Sequence, residues 1–365
     1  MNVAEYLDLE DVGQTLADLQ TPVPIIDVDI VQRNVHRWQK RCYDLGIANR
    51  PHIKTHKIAG LARYQIACGA KGIMVQKLGE AEVMADAGIT DLMLTFNIIG
   101  VPKLKRLVPL LRRTQLCLLA DHDAMLSGLS LAALQAKRQL EVLVECDTDA
   151  SRNGVQTPYD AAALAKKIES TPGLKFGGLM TYPAAGQRVK TQNFLTQSVA
   201  LCQEEGLKVS RVTSGGSPDI WSDEGLNGIT EYRVGTYIYF DRSLVARGTC
   251  RFDDCALSVL TTVVSRPTET RAIVDAGTKA LTSDLLGLQG YGIVRELGDA
   301  PIYAANEEHG FLDITQSPIK PLVGDLLRII PNHVCPVSNL FDQVIFVRGG
   351  KVLGSSRVNA RGLVQ

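Results

Sequence analysis

The chain has 365 residues, 45% of them apolar, with 39 lysines and arginines set against 39 aspartates and glutamates. That balance gives no electrostatic footing for a nucleic acid or an anionic membrane surface, so small-molecule chemistry is the class to pursue. The acidic start MNVAEYLDLEDVG is no signal peptide, no apolar run is long enough to cross a bilayer, and eight scattered cysteines without a CxxC pair read as free thiols of a cytoplasmic protein.

In chain order, TPVPIIDVD supplies an extended run at 22–28, and a helix follows from about Ile30. From about residue 50 short apolar runs alternate with helical segments. The predicted strands are 51–54, 72–76, 91–96, 115–121, 140–146, 174–182, 207–214 and 229–240. Nearly continuous apolar runs of this length indicate parallel strands covered on both faces. Between them, KLGEAEVMADAG closes on Gly88 and PYDAAALAKKIESTPG opens on Pro158, as helices do. Eight strands with seven helical crossovers predict an α/β fold, a closed (β/α)8 TIM-type barrel rather than an open doubly wound sheet. From about residue 250 the pattern becomes alternating (LSVLTTVVSR, RAIVDAG) and rich in turns, which predicts a second, C-terminal antiparallel β-domain ending in KVLGSSRVNARG.

In such a barrel the functional residues sit at the C-terminal ends of the strands. Those ends carry Lys54 in RPHIKTHK, Gln76, Arg152, Tyr182, the turn Ser214-Gly215-Gly216-Ser217, and Arg233, Gly235 and Thr236 in EYRVGTY. A glycine-and-serine turn after the seventh strand presents amides and hydroxyls to a phosphate. With a lysine at another strand end it points to a phosphorylated cofactor held as a Schiff base, and pyridoxal 5′-phosphate is the obvious candidate. Each residue also has a plainer reading. Lys54 snorkels at a strand end, Arg152 forms a loop salt bridge, Tyr182 packs as core, and the SGGS turn is only a turn.

A second cluster lies in IIPNHVCPVSNLFD, where His333 and Cys335 are one residue apart. In an extended segment positions i and i+2 share a side, so imidazole and thiolate could bind one metal, and that pair favours zinc. Two ligands suggest an open site completed by water, by substrate or by a third residue. The plainer reading is a buried cysteine beside a hydrogen-bonded histidine. His309, in NEEHG, is a further candidate as ligand, base or turn residue.

Taken together, TPVPIIDVD, RPHIKTHK, VQKLGEAEVMADAGI, TSGGSP, EYRVGTY, VDAGTKA, EEHG and PNHVCPVSNLFD resemble, in order and over nearly the whole chain, the D-threonine aldolase/D-serine dehydratase family of fold-type III pyridoxal-phosphate enzymes. The resemblance implies an alanine-racemase-like barrel over 29–245 and a D-serine dehydratase-like β-domain over 246–365, joined by the N-terminal strand within 1–28. It also implies a homodimer. By the same resemblance Lys54 forms the Schiff base, Arg152 sits near the phenolic oxygen, Tyr182 lies near the cofactor linkage, Arg233 faces the pyridine nitrogen, and the turn with Gly235 and Thr236 holds the phosphate. His333 and Cys335 match the metal ligands. Some aldolases of the family have His-x-Asp here; the cysteine form resembles the dehydratases and favours zinc over manganese or magnesium. Relatives with a histidine soon after the tyrosine differ from TYPAAG, which has none.

The implied activity is lysis of D-3-hydroxy amino acids: cleavage of D-threonine-type substrates to glycine and an aldehyde, or dehydration of D-serine or 3-hydroxy-D-aspartate to a 2-oxo acid and ammonia. In the cleavage, metal-bound water or His309 would take the hydroxyl proton; in the dehydration, Lys54 would take the Cα proton. A racemase, a non-catalytic cofactor carrier and a metal-only barrel hydrolase are the competing readings. The racemase and the carrier leave the His333/Cys335 pair unexplained, and the hydrolase leaves Lys54 without a cofactor.

Overall fold

The computed structural model describes all 365 residues. The chain divides into two compact units. One comprises Met1–Trp38, Thr55–Tyr64 and Thr236–Gly362; the other comprises Gln39–Lys54, Gln65–Gly235 and Leu363–Gln365.

In chain order the first elements are β1 (Val23–Asp27), α1 (Val28–Asp44) and β2 (Ala48–Asn49). Then α2 (Ala59–Ala67), β3 (Ile73–Val75), α3 (Leu78–Asp86), β4 (Asp91–Leu94), α4 (Val101–Arg113), β5 (Gln115–Ala120), α5 (Leu126–Ala136), β6 (Leu140–Cys146), α6 (Pro158–Ser170), β7 (Leu174–Thr181), α7 (Arg188–Glu204), β8 (Arg211–Ser214) and β9 (Glu231–Tyr232) follow. The eight strands β2 to β9 form one parallel sheet in the order β2-β9-β8-β7-β6-β5-β4-β3. A parallel bridge between His52 and Met74 joins its two edges, so the sheet is a closed barrel. Met74, Met93, Cys117, Leu119, Leu143 and Met180, from five consecutive strands, make one buried cluster. That is why these strands read as continuous apolar runs.

Local signals set the helices where the sequence suggested. At α6 the Thr157 hydroxyl accepts the Asp160 amide and Pro158 occupies the first turn. At α3 the Glu80 carboxylate accepts the amides of Gln76 and Lys77.

Three strand predictions need correcting. The run 51–54 is not a strand to its end: the ladder stops at His52, and Ile53–Thr55 is a 3-10 turn. His52 Nδ1 accepts the Lys54 amide at 3.3 Å, and this local bond takes the backbone out of the sheet. The run 207–214 is strand only from Arg211, and 229–240 is strand only at Glu231–Tyr232. Tyr237 to Phe240 are apolar because they are buried in a turn that bonds back to Thr236, a distinction periodicity cannot make. The seventh crossover contains no α-helix, only the 3-10 turn Ser217–Asp219.

The other unit continues with α8 (Arg242–Ala246), β10 (Leu257–Ser265), β11 (Arg271–Val274), α9 (Thr278–Leu281), β12 (Gly292–Val294), β13 (Ala300–Ala305), β14 (Gly310–Asp313), β15 (Leu326–Pro331), α10 (Val334–Leu340), β16 (Gln343–Arg348) and β17 (Lys351–Arg357). Its sheet runs β11-β14-β13-β12-β15-β10-β1-β16-β17, and a further β10–β11 pairing closes six of these strands into a small barrel. The N-terminal strand β1 lies antiparallel to β10 and parallel to β16, with Ile25, Leu260, Ile345 and Val347 packed as a core. All eight cysteines are free, and no helix is long and apolar enough to cross a membrane.

Candidate active site

Lys54 stands out by exposure. From Asn49 to Ala62 it is the single exposed residue; every other side chain is buried. The support beneath it is a chain of hydrogen bonds from strand ends. His52 Nδ1 accepts the Lys54 amide, so Nε2 carries the proton and donates to Gln76 Oε1 at 2.9 Å. Gln76 Nε2 in turn donates to the Thr95 carbonyl at 2.9 Å. Gln76 therefore acts on the backbone of Lys54 through His52, a role that its place after β3 did not reveal.

At the same end of the barrel Arg152, Tyr182 and Arg233 come together. The two guanidinium carbons lie 5.0 Å and 5.8 Å from the Tyr182 ring centroid. Arg152 is half exposed and reaches Asn153 Oδ1 at 3.1 Å. Arg233 is 6% exposed, yet its Nε and Nη2 have no partner. Burial pushes the Arg233 pKa down to about 10, against the pull of Glu145 and Tyr182. A buried cation with unused donors is an unfinished arrangement, and the missing partner is an acceptor. Glu145, at the end of β6, was missed in the sequence. A carboxylate inside the apolar run LEVLVEC was the signal available.

The turn after β8 is shaped for close approach. Gly215 has φ +121°, and a Cβ there would lie 2.2 Å from the Tyr232 ring, so only glycine fits. The amides of Gly215, Gly216 and Gly235 donate to no carbonyl of the chain. Ser214 and Gly216 are buried and Ser217 half-buried. These amides and hydroxyls suit a phosphate, and the orphaned Arg233 donors suit a ring nitrogen acceptor, so the residues present fit pyridoxal phosphate.

The unit that contains Thr55 holds the second cluster. Thr55, the residue after Lys54, has its hydroxyl 3.2 Å from Cys335 Sγ, and the Thr236 hydroxyl lies 3.7 Å from the same sulfur. Lys57 Nζ donates to Asn339 Oδ1 at 2.8 Å. The segment 333–335 is not extended, contrary to expectation: His333 caps α10 and Cys335 lies in its first turn. The two side chains still meet. Burial lowers the His333 pKa, but Cys335 and Asp284 outweigh it and hold it up at about 9. Asp284 Oδ2 lies 2.7 Å from His333 Nδ1. Tyr239, fully buried, has a hydroxyl without a partner and carries the field of Cys335. No group of three or more His, Cys, Asp or Glu side chains is placed to hold a metal, so this is a two-donor site with an orienting carboxylate. Asp284 had no signal in the sequence. His309 lies apart, exposed in the turn between β13 and β14, and its ring makes no hydrogen bond within the chain.

Residues 26–243 match the family of the alanine racemase N-terminal domain, and 256–347 match a serine dehydratase domain. The chain is 32% identical to D-threonine aldolase from Arthrobacter sp, over 96% of this chain and 95% of that one. The chain belongs to the D-threonine aldolase/D-serine dehydratase family. That family consists of pyridoxal-phosphate-dependent lyases on the alanine-racemase fold. Two solved members show how far the fold is shared. D-threonine aldolase from Filomicrobium marinum superposes with a TM-score of 0.91 at 30% identity, covering 98% of this chain and 100% of that one. D-threo-3-hydroxyaspartate dehydratase from Delftia sp. HT23 superposes with 0.85 at 31%, covering 94% and 99%. Two further structures of D-threo-3-hydroxyaspartate dehydratase carry alanine in place of a histidine and, two positions further on, of a cysteine; the cysteine variant is in a metal-free form.

Proposed function

We propose that this family member is a pyridoxal 5′-phosphate- and divalent-metal-dependent lyase of D-3-hydroxy amino acids, cleaving D-threonine-type substrates to glycine and an aldehyde. The observation that carries the cofactor reading is Lys54, the one exposed side chain in a buried stretch, set on a turn braced by His52 and Gln76. Lys54 would hold the cofactor, Arg233 its ring nitrogen, and Ser214 to Ser217 with Gly235 and Thr236 its phosphate. Arg152 would face the phenolic oxygen and Tyr182 would pack near the linkage. When bound, pyridoxal phosphate supplies an electron sink for the pair released at the substrate Cα. Lys54 would also be the chain's own group for moving a proton at the substrate Cα. The two-donor site fits a divalent ion. Asp284 engages His333 Nδ1, so Nε2 would bind together with the Cys335 sulfur, and their softness favours zinc. Such an ion would supply Lewis acidity at the substrate hydroxyl.

Likeness to D-threonine aldolase over nearly the whole chain supports cleavage of the Cα–Cβ bond. A second reading, dehydration to a 2-oxo acid and ammonia, is favoured by the His-x-Cys spacing that this chain shares with the dehydratase variants. Purified protein with pyridoxal phosphate and zinc or manganese, given D-threonine and D-serine separately, separates the two. Glycine with aldehyde supports the first, and 2-oxo acid with ammonia supports the second. Lys54→Ala should lose at least about a hundredfold in rate. Absence of both product pairs while the cofactor is bound would sink the substrate class. We also propose a homodimer, which sedimentation checks. For the metal, Cys335→Ala and His333→Ala should each lower bound zinc from one equivalent by at least about tenfold in affinity, read by metal analysis after dialysis.

A further inference from the structure

Glu145 has no role in the reading above. It lies two residues after Leu143 on β6, so it shares the face on which Leu143 joins the barrel's buried cluster. It is 2% exposed. Asn153 Nδ2 donates to its Oε2 at 2.6 Å, and Arg152 Nη2 stands 4.0 Å from its Oε1. Glu145 and Arg233 are each other's strongest charged neighbours. No hydrogen bond joins them, and Arg233 keeps Nε and Nη2 unspent. The carboxylate thus faces the guanidinium electrostatically without taking its donors, which stay available to a ligand. A guanidinium clamped by a direct ion pair could not offer those donors to a ring nitrogen, whereas one facing a carboxylate that does not take them can.

We propose that Glu145 is a positioning residue: its carboxylate supplies the counter-charge that keeps the Arg233 guanidinium aimed at the cofactor ring, and so tunes the electronic state of the bound cofactor. This rests on the assignment of Arg233 to the ring nitrogen. The carboxyl is also poised to titrate. Burial raises it to about 7, with Arg233 and Arg152 pulling it down and Asp121 and Asp147 pushing it up. The counter-charge is therefore present above neutrality and lost below it.

The test is to load pyridoxal 5′-phosphate onto the full-length wild type, Glu145→Gln and Asn153→Ala, and to follow the absorption band of the bound cofactor from about pH 5.5 to about 8.5. The wild type should show a transition near pH 7, the value to which burial raises Glu145. Glu145→Gln should lack it and keep the low-pH wild-type spectrum throughout. Asn153→Ala removes a hydrogen bond that favours the charged carboxylate, so its transition should move to higher pH. A Glu145→Gln protein that titrates like the wild type overturns the proposal, and so does an unmoved transition in Asn153→Ala, which is the deciding variant if Glu145→Gln does not fold. A wild type that forms no absorbing complex overturns the cofactor reading beneath it, a different failure from cofactor bound with unchanged titration.

Discussion

Arg50 and Arg233 are both buried arginines of the barrel unit, 1% and 6% exposed, and they have opposite fates. Arg50 donates from Nε to Glu231 at 2.9 Å and from Nη1 to Asp91 at 2.6 Å. Burial works against its charge, but Glu231 and Asp91 overcome it and raise its pKa. Arg233, two residues after that same Glu231, has two nitrogens without partners and a depressed pKa. Burial is nearly equal, so partner supply makes the difference. A saturated buried cation is structural. An unsaturated one, with buried donors left over, is what the proposed cofactor site requires of Arg233.

Arg50 carries the largest expected effect. Arg50→Met should lose about 3–5 kcal/mol of stability, because Glu231 and Asp91 are left without their cation. Urea unfolding of cofactor-free protein reads this. A loss below about 1 kcal/mol would show that the pairs at Arg50 are not structural.

Glu145 gives the next effect, with a definite pH sign. Its folded pKa is raised to about 7 from an ordinary 4.5, so its contribution to stability is fully present below 4.5 and disappears as pH rises through 7. Glu145→Gln cannot titrate. It should therefore unfold later than the wild type above pH 7, by on the order of 2–3 kcal/mol relative to their difference near pH 4.5. An offset that does not change with pH would show that Glu145 ionises normally.

Arg233→Met should cost the cofactor-free protein less than Arg50→Met, about 1–2 kcal/mol, because it strands only Glu145, which keeps Asn153 and Arg152 as partners. The same variant should lose the wild-type spectrum of the bound cofactor. If it destabilises the protein as much as Arg50→Met, Arg233 is structural and the distinction between the two arginines fails.

Much of this was legible before any coordinates. The barrel strands were visible because parallel strands buried on both faces leave unbroken apolar runs, and β6 lies at 140–146, as its run LEVLVEC predicts. β1 pairs antiparallel with β10 and parallel with β16. The loss of strand at 53–55 and 236–240 was not legible, because an apolar or basic run says that a segment is buried or special and not which backbone it adopts. His333 and Cys335 were paired by spacing, yet they meet across a helix cap rather than along an extended segment.

By itself the sequence determined the succession of elements, the lysine and glycine-turn motifs, and the His-x-Cys pair, because hydrophobic periodicity and turn chemistry act between near neighbours in the chain. Only the tertiary structure decided what each buried charge meets. Arg50 finds Glu231 across 181 positions, whereas Arg233 finds no hydrogen-bonded acid at all. Strand register in the closed barrel sets those encounters, and register comes from packing all eight strands at once, which no local stretch of residues encodes.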